Sequence, residues 1–181
     1  MQSPKFSIIV PMYNVEKFIA RALESAINQS FKDIEIICVD DCGQDKSIEI
    51  AKEFAKKDER IKIVQNERNL GTFATRNNGA LSAKGEYLLF LDSDDYLELK
   101  ACEILNDTLL HYKKQNICLD ILGFNYHKDS EIQDITKFYH STPAHHFHSK
   151  FLINKPIYTS QQFLPQALTQ SPVNWALYNK T

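Results

Sequence analysis

No stretch of this sequence approaches the roughly 18 to 20 consecutive apolar residues that a helix needs to cross a bilayer, and a transmembrane helix is not expected. Charge of one sign is equally scarce. The 21 basic and 23 acidic residues leave a formal net charge of −2, so no global field gathers a polyanion and nucleic acid is not an expected partner. The four cysteines, Cys38, Cys42, Cys102 and Cys118, form no CxxC pair, which argues against zinc-ribbon and thioredoxin-type motifs. The opening MQSPKFSIIVPMYN has neither the basic start nor the long apolar core of a secretion signal. A cytoplasmic location is expected, with peripheral contact at the inner face of a membrane left open. Only five glycines and six prolines occur, too few for a low-complexity chain.

What is present describes an ordinary globular domain. With 43% hydrophobic and 24% charged residues over 181 positions, the chain can bury one sizeable core. FSIIV (6–10) is a short β-branched run stopped by Pro11, the pattern of a strand buried on both faces. After it, Val15, Phe18, Ile19, Ala22, Leu23, Ala26 and Ile27 follow the spacing of one helix face, with Asn14 as N-cap. The alternation then recurs. IEIICVD (34–40) and IKIVQN (61–66) read as strands, a helix opened by Asp45 separates them, and a third helix runs from near Gly71 to before Gly85. YLLFL is a fourth strand, followed by a helix with Leu105, Leu109 and Tyr112 on one face and by the apolar run LDILGFNY (119–126). Strands alternating with helices predict an α/β fold, a Rossmann-like, mostly parallel sheet with helices on both faces.

Beyond Lys128 the periodicity is lost. This stretch carries His140, His145, His146 and His148, whose spacing matches no standard zinc pattern. TSQQFLPQALTQ reads as a short helix interrupted at Pro165, and Trp175 and Tyr178 as part of a buried face or as platforms for a sugar.

In open parallel sheets, ligands bind beyond the carboxyl ends of the strands. There this chain places PMYN, DDCGQD, NERNLG and DSDD, in strand order. Asn14 and Asp45 are also good caps, but a cap needs one carboxylate, and Asp92, Asp94 and Asp95 crowd three into four positions. Carboxylates this close repel unless solvated, sharing a proton or holding a cation. A D-x-D pair of oxygen ligands suits Mg²⁺ or Mn²⁺, with substrate phosphates completing the shell.

The ordered motifs SIIVPMYNVEKFIARALESAINQSF, IEIICVDDCGQDKS, NERNLGTFATRNNGALSAKGEYLLFLDSDD and NWALYNK resemble the family 2 glycosyltransferases of GT-A fold, closely over residues 6 to about 105. The resemblance implies inverting transfer of a sugar from a nucleotide diphosphate, with a UDP-sugar as donor, to a glycan or lipid-linked glycan acceptor in surface polysaccharide or lipopolysaccharide synthesis. By the same resemblance, Pro11 and Tyr13 line the nucleobase pocket and Asp41 accepts a hydrogen bond from a uracil-type base, with Asp40 supporting the loop. Arg76 approaches base or diphosphate, Asp92 sits near ribose and metal, and Asp94 is the principal ligand of Mn²⁺ or Mg²⁺. The family's catalytic base normally follows the W…LY segment, yet no acidic residue occurs after Asp134. The base is therefore expected beyond Thr181, with Asp95 as the alternative. On this reading 1-127 is the nucleotide-sugar-binding domain, and 128-181 is the start of an acceptor-side region, C-terminally truncated. The competing readings are a nucleotide-sugar-binding chain without turnover and a phosphorylation-switch receiver; the latter would place its paired acids after the first strand, not the second.

Overall fold

The computed structural model describes residues 3–123 and 176–179. Their elements are β1 (Phe6–Met12), α1 (Ile19–Ile27), β2 (Ile34–Asp40), α2 (Ser47–Ala55), β3 (Ile61–Gln65), α3 (Thr72–Ser82), β4 (Tyr87–Phe90), α4 (Ala101–Lys114), β5 (Ile121–Gly123) and β6 (Ala176–Asn179). They build one six-stranded sheet in the order β3-β2-β1-β4-β6-β5. The first four strands are mutually parallel, and β6 runs antiparallel to both β4 and β5. The expected histidine loop, the helix around Pro165 and Trp175 lie outside the described residues.

The strand and helix pattern expected from the sequence is present, and the departures have local causes. Every residue of β1 and β2 is buried, which is why both read as continuous apolar runs rather than alternating ones. β1 does not stop at Val10 but continues through Pro11 to Met12. Ile9 gives its carbonyl to the Leu91 N–H on the β4 side, so Pro11, of the same parity, lacks its donor on that side alone, while Met12 still accepts from the Asp41 N–H. The β1–β4 ladder ends at Ile9 and Phe90. Asn14 is not the N-cap of α1. It sits at φ 54 with its Oδ1 accepting the Gln44 N–H at 2.7 Å, and Phe18, half exposed, precedes the first helical residue.

Two layers of helix cover the sheet. α1, α2 and α4 pack on one face, burying Ile19, Leu23, Ala51, Cys102, Leu105 and Leu109 against Phe6, Ile8, Val10 and Ile36. On the other face α3 approaches Ile9 and Val39 so closely that a Cβ on Gly79 would lie 2.5 Å from Ile9 Cγ2. Burial pushes the thiols of Cys38 and Cys102 up to about 12, so these two are packing groups rather than nucleophiles.

One buried polar cluster lies at the amino end of the sheet, away from the loops of interest. Ser7 and Glu35 are register partners on β1 and β2. Glu35 accepts from the Ser7 hydroxyl (2.6 Å), the Lys62 ammonium (2.5 Å) and the Lys84 N–H (2.5 Å). Burial pushes its carboxyl up, but the bonds from Lys62, Ser7 and Lys84 outweigh this and hold it below the usual glutamate value. A lowered folded-state pKa contributes stability that is complete above the unfolded value and is lost as pH falls through the folded one. Thermal melts of Glu35→Gln are therefore expected to lie below those of the parent at pH 7, by an amount equivalent to about 1–3 kcal/mol. The two should converge as pH drops below about 4. A gap independent of pH would remove Glu35 ionisation from the account.

Candidate functional site

The order β3-β2-β1-β4 reverses direction between β1 and β4, so the crevice beyond those two strand ends is the switch point at which α/β sheets bind ligands. The sequence places PMYN on one side of it and DSDD on the other. Pro11 is buried within β1, whereas Tyr13 just past the strand is 49% exposed and presents its ring at the rim. Across the crevice, the Asp95 N–H donates to the Asp92 carbonyl at 3.0 Å and closes a turn. Ser93 is buried in this turn and Asp94 points to solvent.

Among the described residues no group of three His, Cys, Asp or Glu side chains is arranged to hold a metal ion. Asp92 instead forms a salt bridge with Arg76, which enters from the second turn of α3. This joins two expected donor-site residues, 16 positions apart in the chain, across the crevice. The Nε of Arg76 is buried and has no hydrogen-bond partner. The only other such atom among the described residues is Arg60 Nη1, whose guanidinium is anchored at the opposite end of the sheet by Asp58 and the Ile27 carbonyl.

Asp40, the last residue of β2, and Asp41 just past it organise a different part of the rim. Both are buried, Asp41 to 3% exposure. Asp41 Oδ1 accepts from the Asn66 side-chain amide (2.7 Å) and the Leu70 N–H (2.8 Å), and Oδ2 accepts from the Gly71 N–H (2.9 Å). Burial pushes this carboxyl up, yet the donors from Leu70, Asn66, Thr75 and Gly71 win and hold it below the usual aspartate range. Asp40 accepts the Gln65 amide at 3.2 Å, and its carbonyl takes the Asn66 N–H. Gly71, at φ 82, takes the left-handed turn into α3 that other residues resist. Asp45, expected as a cap, accepts the Ser47 N–H at the start of α2 and also ties down the Glu16 N–H.

Sequence reasoning passed over Asn66. It is buried and central: it donates to Asp41 and Thr75 and accepts from the Asn78 amide at 2.7 Å. The signal was available, because Asn66, Gly71, Thr75 and Asn78 surround the turn in NERNLGTFATRNN, the last three at the spacing of one helix face. A groove of about 700 Å³ runs along the outer side of β3 and α3 past Asn66 and Asn78. It contains none of the expected donor residues, of which Arg76 and Asp92 meet instead at the crevice.

Comparison with known proteins places this geometry. The chain is 38% identical over 135 residues to the glycosyltransferase GlyA of Streptococcus pneumoniae, covering 75% of this chain and 18% of that protein. It is 36% identical over 141 residues to the GalNAc(5)-diNAcBac-PP-undecaprenol beta-1,3-glucosyltransferase of Campylobacter jejuni, covering 71% of this chain and 46% of that one. Among solved structures, S. aureus TarS 1-349 in complex with UDP superposes with a TM-score of 0.62 at 28% identity, covering 97% of this chain and 47% of its own. The chain thus spans less than half the length of these relatives. The fold is the α/β GT-A architecture of TarS. The model of "Glycosyl transferase family 2" matches residues 7–170, and with the motifs and the crevice in place, the chain belongs to that family.

Proposed function

We propose that this chain provides the donor site of an enzyme that transfers a sugar, with inversion, from a UDP-sugar to a glycan or lipid-linked glycan acceptor. The observation that carries the reading is the Arg76–Asp92 pair, set across the switch-point crevice beside the exposed carboxylate of Asp94. A permanently charged guanidinium whose side chain is 23% exposed seeks an anionic acceptor, and a diphosphate fits. Tyr13 offers a ring face to the base. The solved TarS complexes hold UDP and, in another crystal, UDP-GlcNAc, and the Campylobacter jejuni relative is named for a polyprenyl-diphosphate-linked acceptor. These support a UDP-sugar donor and a lipid-linked glycan acceptor; a place at the cytoplasmic face of a membrane is part of the proposal, and no helix among the described residues is long and apolar enough to cross one.

The donor chemistry of the turn fits a hard divalent cation. Asp94 and Asp92 supply two carboxylates, the number with which Mg²⁺ or Mn²⁺ is usually held when substrate phosphates fill the remaining positions. When bound, the ion would stabilise negative charge on the leaving diphosphate. Arg76 aims charge-assisted hydrogen bonds at the same oxygens, and the Asp92–Asp95 turn orients Asp94.

Titration calorimetry of UDP with Mn²⁺, with EDTA, and with Asp94→Asn tests the reading. Binding is expected to be tighter with Mn²⁺ than with EDTA by about tenfold or more, and Asp94→Asn should abolish that difference. A folded parent that does not bind UDP, or a gain from Mn²⁺ that survives in Asp94→Asn, would sink the assignment. Donor turnover with an added acceptor separates a transferase from a chain that binds without turnover.

A further inference from the structure

We infer that Gln29 is a positioning residue for the Asp94 loop, fastening it to the end of α1 and thereby setting the metal dependence of donor binding; this rests on the donor-site reading above. Gln29 is fully buried, uncommon for a glutamine, and it has no role in the crevice itself. Its side-chain amide is spent across elements. Nε2 donates to the Glu98 carbonyl (2.7 Å) and the Ser25 carbonyl (3.0 Å), and Oε1 accepts the Cys102 N–H (3.0 Å). Cys102 lies in the first turn of α4, where N–H groups lack intrahelical partners, and the N-cap residue of α4 provides no side-chain bond of its own. Gln29 caps α4 from just past the end of α1.

Its neighbours repeat the attachment along the segment leading out of the DSD turn. The Arg21 guanidinium lies 4.1 Å from the Tyr96 ring centroid, the Leu97 N–H donates to Ser25 Oγ at 3.0 Å, and the Ser30 N–H donates to the Leu99 carbonyl at 2.9 Å. Arg21, Ser25 and Gln29 recur every four residues, one stripe of α1 continued just past its end. On the other side, the Leu91 N–H is held by the Ile9 carbonyl. The turn bearing Asp92, Asp94 and Asp95 is thus suspended between two anchors, and Asp94 lies only three residues, about 10 Å of extended chain at most, before the α1 anchor. The carboxylates within it repel one another, so without the anchor the turn would spread. Leucine or methionine would fill the same space but take the acceptor from the Cys102 N–H and leave the Glu98 carbonyl with one donor fewer.

The test compares Gln29→Met with the parent, with the milder Ser25→Ala, and with Glu35→Gln as a variant destabilised elsewhere. For Gln29→Met, UDP affinity in EDTA should stay within about twofold of the parent, while the gain given by Mn²⁺ falls about tenfold or more. Hydrogen exchange without ligand should quicken at the Asp95 amide, which Gln29 does not touch, as well as at Leu97 and Cys102. Ser25→Ala should shift both readouts the same way by less, and decides the matter should Gln29→Met not fold. Glu35→Gln should shift neither. An unchanged Mn²⁺ gain, or unchanged exchange at Asp95, overturns the inference. A parent that binds no UDP overturns the donor-site reading instead, and the exchange rates alone then decide the anchoring.

Discussion

Replacing Arg76 with alanine is expected to weaken UDP binding by about 10²-fold or more, with or without Mn²⁺, and Arg76→Lys should recover only part of the loss. The guanidinium has one edge committed to Asp92 and is 23% exposed, so a diphosphate oxygen meets a charged donor already held in place. Alanine removes that donor and also leaves Asp92 unpaired next to Asp94 and Asp95. The second effect concerns stability rather than binding. With both side chains 23% exposed, solvent screens the pair, and its loss should cost no more than about 1–2 kcal/mol. Combining Arg76→Ala with Asp92→Asn separates the two effects: stability should return toward the parent while UDP affinity does not. If the double variant regained affinity, Arg76 would serve only to hold Asp92, and the diphosphate would have to be bound by other groups.

How far the sequence foretold this arrangement depends on the range of the interactions. Strand–helix alternation was legible because a fully buried parallel sheet forces continuous apolar runs, as in FSIIV and IEIICVD, and a covering helix forces a stripe, as in Ile19 to Ile27. The position of the site was legible for the same reason, since four parallel strands bring their carboxyl ends to one edge. Boundaries set by single hydrogen bonds were not. Asn14 reads as a cap in any local view, and only its bond to Gln44, 30 residues away, shows why it takes a positive φ instead. The crowded acids of DSDD were legible as a cluster, but nothing near them in the sequence announces that Arg76, 16 residues earlier on α3, pairs with Asp92. Ser7 and Glu35 did leave a trace, as the polar second residue of two otherwise apolar strands, and it becomes readable once the strands are known to pair in register. Gln29 left none. Its partners at 98 and 102 lie 69 and 73 residues on.

Asp41→Asn should cost more stability than its size suggests, about 2–4 kcal/mol by thermal or denaturant unfolding at pH 7. The carboxylate accepts from three donors, and an amide of the same shape must turn an NH₂ toward the Leu70 N–H and the Asn66 amide, or toward the Gly71 N–H. Because the folded-state pKa is lowered, this contribution is complete above the ordinary aspartate value and fades as pH falls below it, so parent and variant should converge in acid. The same variant addresses base recognition. A carboxylate offers about four acceptor positions; Oδ1 uses two and Oδ2 one, leaving one on Oδ2 free for a ligand when the Thr75 hydroxyl, which also helps lower this carboxyl, donates to the Gly71 carbonyl. Uracil presents an N3–H donor where cytosine presents an acceptor. If that free position reads the base, the parent should prefer UDP to CDP and Asp41→Asn should erase the preference. If Asp41 acts only through the Leu70–Gly71 turn that launches α3 and Arg76, both nucleotides should weaken together with their ratio intact. Measuring both affinities on samples shown to be folded separates a residue that touches the base from one that holds the loop beside it.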